Sequence, residues 1–230
     1  MAAVARSYIY TFLLPDQRTI EFAVTIDPVS QEINTCPLCP AAWARLGYHQ
    51  CPPCPLRETE HRFCPVALSI ADLVTTFKDT ASYVKCTVTC VSKERTVIKQ
   101  TIVQEGLASI LGLLMAVSGC PIMGFFKPLA RFHLPFASVD ESLFRIVALY
   151  MLRQYYLKDG AMGESFYFDD IKNHYAQVKQ VNKGILERIL SITALDADKN
   201  AIVTLNSLGQ ILEMEFDTDL ESLQYLFLKV

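Results

Sequence analysis

Six of the eight cysteines in this chain stand immediately before a proline: Cys36, Cys39, Cys51, Cys54, Cys64 and Cys120. Proline fixes its own φ and drives the residue before it into extended or polyproline geometry, so each of these thiols rides on a stiff, non-helical piece of backbone. Five of the six fall between Asp27 and Pro65, a stretch that also holds seven prolines and sustains neither a helical nor a strand period. A long irregular segment inside a compact chain calls for a tether other than its own hydrogen-bond ladder.

The compartment decides what kind of tether that is. Met1-Ala-Ala-Val-Ala-Arg-Ser runs straight into alternating, strand-like sequence and lacks the basic region and unbroken apolar stretch of an export signal, so a cytoplasmic location is expected. The longest apolar run, Leu107 to Val117, is about half of what crosses a bilayer and reads as a buried helix. In a reducing cytoplasm, cysteines of this number point to metal binding or redox chemistry, with inert buried thiols as the alternative, rather than to disulfides. Nucleic acid is disfavoured as a partner, because 21 basic residues face 24 acidic ones and no basic stripe stands out.

On either side of the cysteine segment the patterns are clear. SYIYTFLL and TIEFAVTI, within residues 7–28, alternate with period two around the turn Leu14-Pro15-Asp16-Gln17, which predicts a hairpin. Val66 to Phe77 places Val66, Ile70, Leu73, Val74 and Phe77 on one helical face. Tyr83–Val91 and Thr96–Val103 predict a second hairpin, and Gln104–Ser118 an apolar helix stopped by Gly119-Cys120-Pro121. Beyond that, Ser138-Val-Asp-Glu141 has the form of a capping box ahead of an amphipathic run from Leu143 to Leu157. Further helices are expected over Asp169–Ile192, Lys199–Glu215 and Leu220–Phe227. The fold class is therefore α+β: an antiparallel sheet of two β-hairpins with an irregular Cys/Pro-rich loop at about 28–65, followed by a mostly helical C-terminal half. The division is 1–137 for the hairpins, loop and apolar helix and 138–230 for the helices, the two sharing one core.

Cys36-Pro-Leu-Cys39 and Cys51-Pro-Pro-Cys54 are Cys-x-x-Cys pairs of the kind that build four-thiolate zinc sites. They depart from the usual knuckle, because Pro40 and Pro55 occupy the place where a glycine with positive φ is common, and Pro53 removes an N–H that could face a sulfur. A second grouping takes Cys51, Cys54, Cys64 and Cys120, which would pin the loop to the end of the apolar helix. Cys86 and Cys90, four apart in a predicted strand, point to one face and are expected to pack as small apolar groups.

The phrases QCPPCPL, FCPVA, SGCP and ARFHLPFA, between Gln50 and Ala137, resemble those of an uncharacterised bacterial family to which no activity is assigned. The resemblance implies Cys51, Cys54, Cys64 and Cys120 as the ligands and leaves Cys36 and Cys39 as extras. Four thiolates suit structural zinc, and cysteine-only ligation beside prolines also suits an iron–sulfur cluster.

Elsewhere the signals for chemistry are thin. His133, in Arg131-Phe-His-Leu-Pro-Phe136, is an alternative ligand, a donor behind the ligands or a base, against the plainer reading of one hydrogen-bonded histidine in an aromatic loop. Arg131 is read as an anion binder or as a partner of Asp140 or Glu141. His49 and His61 flank the loop. Asp196-Ala-Asp-Lys-Asn200 imitates the start of an EF-hand but has Ala201 and Ser207 where glycine and glutamate are needed, so calcium is not expected. No phosphate loop, nucleophile elbow, zinc-protease helix or dinucleotide fingerprint occurs, and the sequence leans away from an enzyme. The expectation is a cytoplasmic metal-thiolate protein, zinc first and iron–sulfur second. It would act as a binding or regulatory module on a protein partner, away from membranes, and its apolar helical faces leave room for a homodimer.

Overall fold

The computed structural model describes residues 5–33, 42–157, 168–192, 197–218 and 220–228. Strands β1 (Arg6–Leu13), β2 (Thr19–Ile26), β3 (Lys85–Val91) and β4 (Thr96–Ile102) form one antiparallel sheet in the order β2-β1-β3-β4. Both hairpins are where the alternation puts them, and β1 joins them by pairing Tyr10 with Cys90 and Phe12 with Val88. The period of two delivers Tyr8, Tyr10 and Phe12 to the buried face and leaves Ile9 and Leu13 outside. Cys86, Val88 and Cys90 follow the same rule on β3.

Helices α1 (Pro65–Phe77) and α2 (Val103–Ala116) cover that face. Pro65 at the first helical position is pre-set for helix entry and lacks only an N–H that would have no partner. Gly106 of α2 lies against Phe12 and Val88, and a Cβ there would stand 2.5 Å from the Phe12 ring and 3.1 Å from Val88. Gly106→Ala should therefore cost about 1–3 kcal/mol through overpacking. It would be read as a lower urea midpoint; an unchanged midpoint would mean that helix and sheet do not need this close approach.

The second half is helical: α3 (Lys127–Arg131), α4 (Val139–Leu157), α5 (Asp169–Leu190), α6 (Ala197–Asp217) and a 3-10 turn, Glu221–Leu226, where a last helix was expected. The capping box at the head of α4 is reciprocal. The Ser138 N–H donates to the Glu141 carboxylate at 2.7 Å, and the Glu141 N–H donates to Ser138 Oγ at 3.2 Å. Val178, Val181, Ile185 and Ile189 of α5 enter the core beneath the sheet, while Leu143, Ile146, Tyr150, Tyr175 and Phe216 make a second cluster. Among the described residues no helix is long and apolar enough to cross a membrane. The 3-10 turn Met123–Phe126 and α3 have no counterpart in the sequence reading, because Pro128 and the aromatic run masked two short helical turns.

Candidate functional site

The cysteine loop is partly self-supporting, which corrects the expectation that it lacks a ladder of its own. Ala42–Ala44 forms a 3-10 turn with Trp43 and Ala44 buried. Arg45 bridges Phe63, the Leu46 N–H donates to the Arg62 carbonyl at 3.1 Å, and the Cys64 N–H donates to the Ala44 carbonyl at 2.8 Å. The Cys54 N–H closes on the Cys51 carbonyl at 2.9 Å, making a tight turn over the two prolines. Each proline denies the backbone a donor, so side chains supply what is missing. Gln50 Nε2 donates to the Leu56 carbonyl at 3.0 Å.

The stronger tie comes from α5. Arg188 is 1% exposed and its guanidinium donates to three carbonyls, those of Trp43 at 2.5 Å, Arg45 at 2.8 Å and Leu46 at 2.9 Å. No carboxylate pairs with it among the described residues. One turn earlier, Gly184 lets α5 come close to the loop: a Cβ there would stand 3.2 Å from the His49 carbonyl oxygen and 3.7 Å from the Cys51 sulfur.

Cys51, Cys54, Cys64 and Cys120 lie within electrostatic reach of one another in this neighbourhood. Burial pushes the Cys51 thiol up to about 11, and Cys64, Cys54 and Cys120 push it the same way. Burial also raises Cys64, while the Ala67 N–H, the Arg188 charge and the Val66 N–H draw it back. Cys120 repeats the pattern, raised by burial and drawn back by the N–H groups of Met123 and Ile122. In both cases a Cys-Pro step turns the next two amides toward the preceding sulfur. At Cys64 these amides open α1 without a closed side-chain capping bond, so a partial positive charge faces the thiol. All six described cysteines are unpaired thiols. The four are neighbours rather than a closed shell, since no group of three or more His, Cys, Asp or Glu side chains among the described residues stands ready to hold a metal ion.

The donor set still fits a soft divalent ion in kind, with four thiols from three stiff segments, a cation and two sets of amide dipoles beside them. A family model matches residues 8–228, which include all four cysteines and both the sheet and the helices. The chain belongs to the DUF6901 family. That family is described as a domain of unknown function, and the match extends well beyond the Cys-Pro phrases, from β1 to the last helical turn. No curated protein and no solved structure matches the chain.

Within this DUF6901 chain the other sequence candidates fall in different places. Cys36 and Cys39 lie outside the described residues, as does Asp196 of the EF-hand-like run. Cys86 and Cys90 face the sheet core, where burial raises each to about 11. His133 is bound to the sheet: its Nε2 hydrogen-bonds the Tyr10 hydroxyl, which meets Ser109 Oγ at 2.8 Å. Burial pushes its imidazole down to about 3, helped by the charge of Arg145, so it is neutral at ordinary pH. His49 pairs with Glu187 at 3.2 Å. Arg131 lies over the Phe132 ring, while Arg145, which the sequence reading passed over, is the cation that turns inward. Arg188 was missed as well. The signal was available, for Val181, Ile185, Arg188 and Ile189 share one helical stripe and an arginine in an apolar stripe needs acceptors.

Proposed function

We propose that Cys51, Cys54, Cys64 and Cys120 bind zinc in a structural four-thiolate site, and that the protein serves a protein partner as a binding or regulatory module in the reducing cytoplasm. The observation that carries this reading is the pairing of the thiol cluster with a buried guanidinium that has only carbonyl partners. Four thiolates around a divalent ion carry a net charge of about −2, which is costly to bury unless cations and donors surround it. Arg188 supplies a positive charge and the amides after Cys64 and Cys120 supply partial ones. Four neutral thiols would need neither, and would leave the guanidinium without a counter-charge.

The thiol pKa directions support the same reading. Thiols that raise one another stay protonated alone, and a metal ion that displaces their protons turns mutual repulsion into shared ligation. Metal uptake should therefore release protons. Amides facing the sulfurs of Cys64 and Cys120 also suit an iron–sulfur cluster, whose potential depends on such donors, and this is the second reading.

Metal analysis and a visible spectrum on protein purified without air or added metal test both. The expected result is one zinc per chain without colour. Iron and sulfide with a visible band bleached by dithionite would transfer the site to redox chemistry, and protein with no metal would sink both readings.

A further inference from the structure

A cavity of about 460 Å³ is lined by residues of α2, α3, α4, α5 and α6, by the 133–138 loop and by Lys99 of β4. Its size is that of a small-molecule site. Ala108, Leu113, Ala116, Ile146, Val178 and Leu205 give it apolar walls. Two glycines inside helices, Gly112 of α2 and Gly209 of α6, also face it. A Cβ at Gly112 would touch only Leu205 at 3.7 Å, and one at Gly209 only Tyr175 at 3.9 Å, so packing requires glycine at neither. A helix-interior glycine costs about 1 kcal/mol against alanine. Two of them, opening onto the same space, keep that space free.

The lining also carries polar groups, among them Ser109, His133, Ser142, Arg145 and Asn182. Arg145 Nη2 is anchored on the carbonyls of Phe132 at 2.7 Å and Leu129 at 3.3 Å, which fixes the guanidinium, while its Nε and Nη1 donate to nothing among the described residues. Glu141, whose charge reaches Arg145, holds the Ser138 N–H and makes no ion pair with it. Beside it stand neutral His133 and Ser109, joined through Tyr10. Glu105, the acid in the lining, is already engaged by Lys99 at 3.0 Å and Thr101 at 2.5 Å. The cavity thus offers a largely apolar chamber whose lining carries two cations, Lys99, which is spent on Glu105, and Arg145, which is held in place with donors to spare.

We infer that this cavity binds an aliphatic monocarboxylate of medium chain length, its carboxylate on Arg145 and its chain along the face of α2 that carries Gly112. A planar guanidinium with free donors reads a carboxylate specifically, and the apolar walls reward an alkyl chain. The inference is independent of the metal site.

Calorimetric titration with dodecanoate, dodecanol and acetate tests it. Dodecanoate should bind at least tenfold more tightly than dodecanol, and acetate should give no heat. Gly112→Leu, which fills the chamber from a position with room for a side chain, should weaken dodecanoate at least tenfold, and Arg145→Gln should erase the preference for the acid over the alcohol. Because Arg145 also holds two loop carbonyls, the acid-to-alcohol ratio on the unaltered protein decides if Arg145→Gln does not fold. Absence of dodecanoate binding, equal affinity for acid and alcohol, or undiminished binding by folded Gly112→Leu would each overturn the inference.

Discussion

Cys64→Ser should release the metal and lower Tm by about 10 °C or more, a loss of several kcal/mol for a domain of this size. The sign of the change is what makes this variant informative. Cys64 is the residue before the first turn of α1 and has extended backbone geometry there, without a side-chain capping bond. Serine is among the best residues at that position, where its oxygen accepts from the second or third amide of the helix and adds roughly 1 kcal/mol. If the thiol were only a small apolar group, the substitution would be close to neutral or stabilising, since the cap would offset the loss of a buried sulfur. If the sulfur is a ligand, removing it opens the shell and leaves Cys51, already raised by burial with Cys54 and Cys120 pushing the same way, without the ion that would reconcile them. Cys90→Ser is the comparison, because Cys90 is equally buried but faces the sheet core, and it should leave the metal content untouched. A Cys64→Ser protein with full metal content, or one with none that melts at or above the parent, would remove this cysteine from the site.

What the sequence discloses depends on whether the cause is local. The face of β1 that carries Tyr8, Tyr10 and Phe12 follows from alternation alone, and the Ser138–Glu141 box follows from four consecutive residues, so both were legible. Cys86 and Cys90 were placed correctly for the same reason. The Cys-Pro steps were legible as stiff, non-helical points, and at Cys64 and Cys120 the step does set the sulfur beside the amides that follow it. That thiols from residues 51, 54, 64 and 120 share one neighbourhood is a different kind of fact, for it depends on α1 and α2 packing side by side, and no short window contains it. The same holds for the cavity. Gly112 and Gly209 look like ordinary helix weaknesses until α2 and α6 are seen to face each other. His133 fits the plainer of its two readings, a hydrogen-bonded histidine in an aromatic loop, because the chain after Cys120 spends its residues in two helical turns and delivers the ring to Tyr10.

Arg188 is the residue whose loss should be felt most widely. Arg188→Met keeps much of the apolar stem but strands the carbonyls of Trp43 and Leu46 and leaves that of Arg45 with the Tyr48 N–H alone, in a proline-bounded segment with few other donors. Breaking a buried charged hydrogen-bond set by removing one partner costs about 3–5 kcal/mol, or about 10 °C in Tm here. Arg188→Lys should recover only part of it, since one ammonium cannot reproduce a planar fork that spans three carbonyls from one end of a helix. Stability alone would leave the residue a strut, so the second measurement is metal retention against a chelator. Arg188 stands close enough to Cys64 to draw its thiol toward the thiolate, and the proposed four-thiolate centre would lose a buried counter-charge with it. Arg188→Met should then give up metal more readily than a variant equally destabilised elsewhere, such as Gly106→Ala combined with Cys90→Ser. The lysine variant, which keeps the charge but not the fork, should lie nearer the parent in metal retention than in Tm. Equal chelator resistance in Arg188→Met and that control would reduce Arg188 to a structural tie. Full stability in Arg188→Lys would mean that charge, rather than the three-carbonyl geometry, holds the loop to α5.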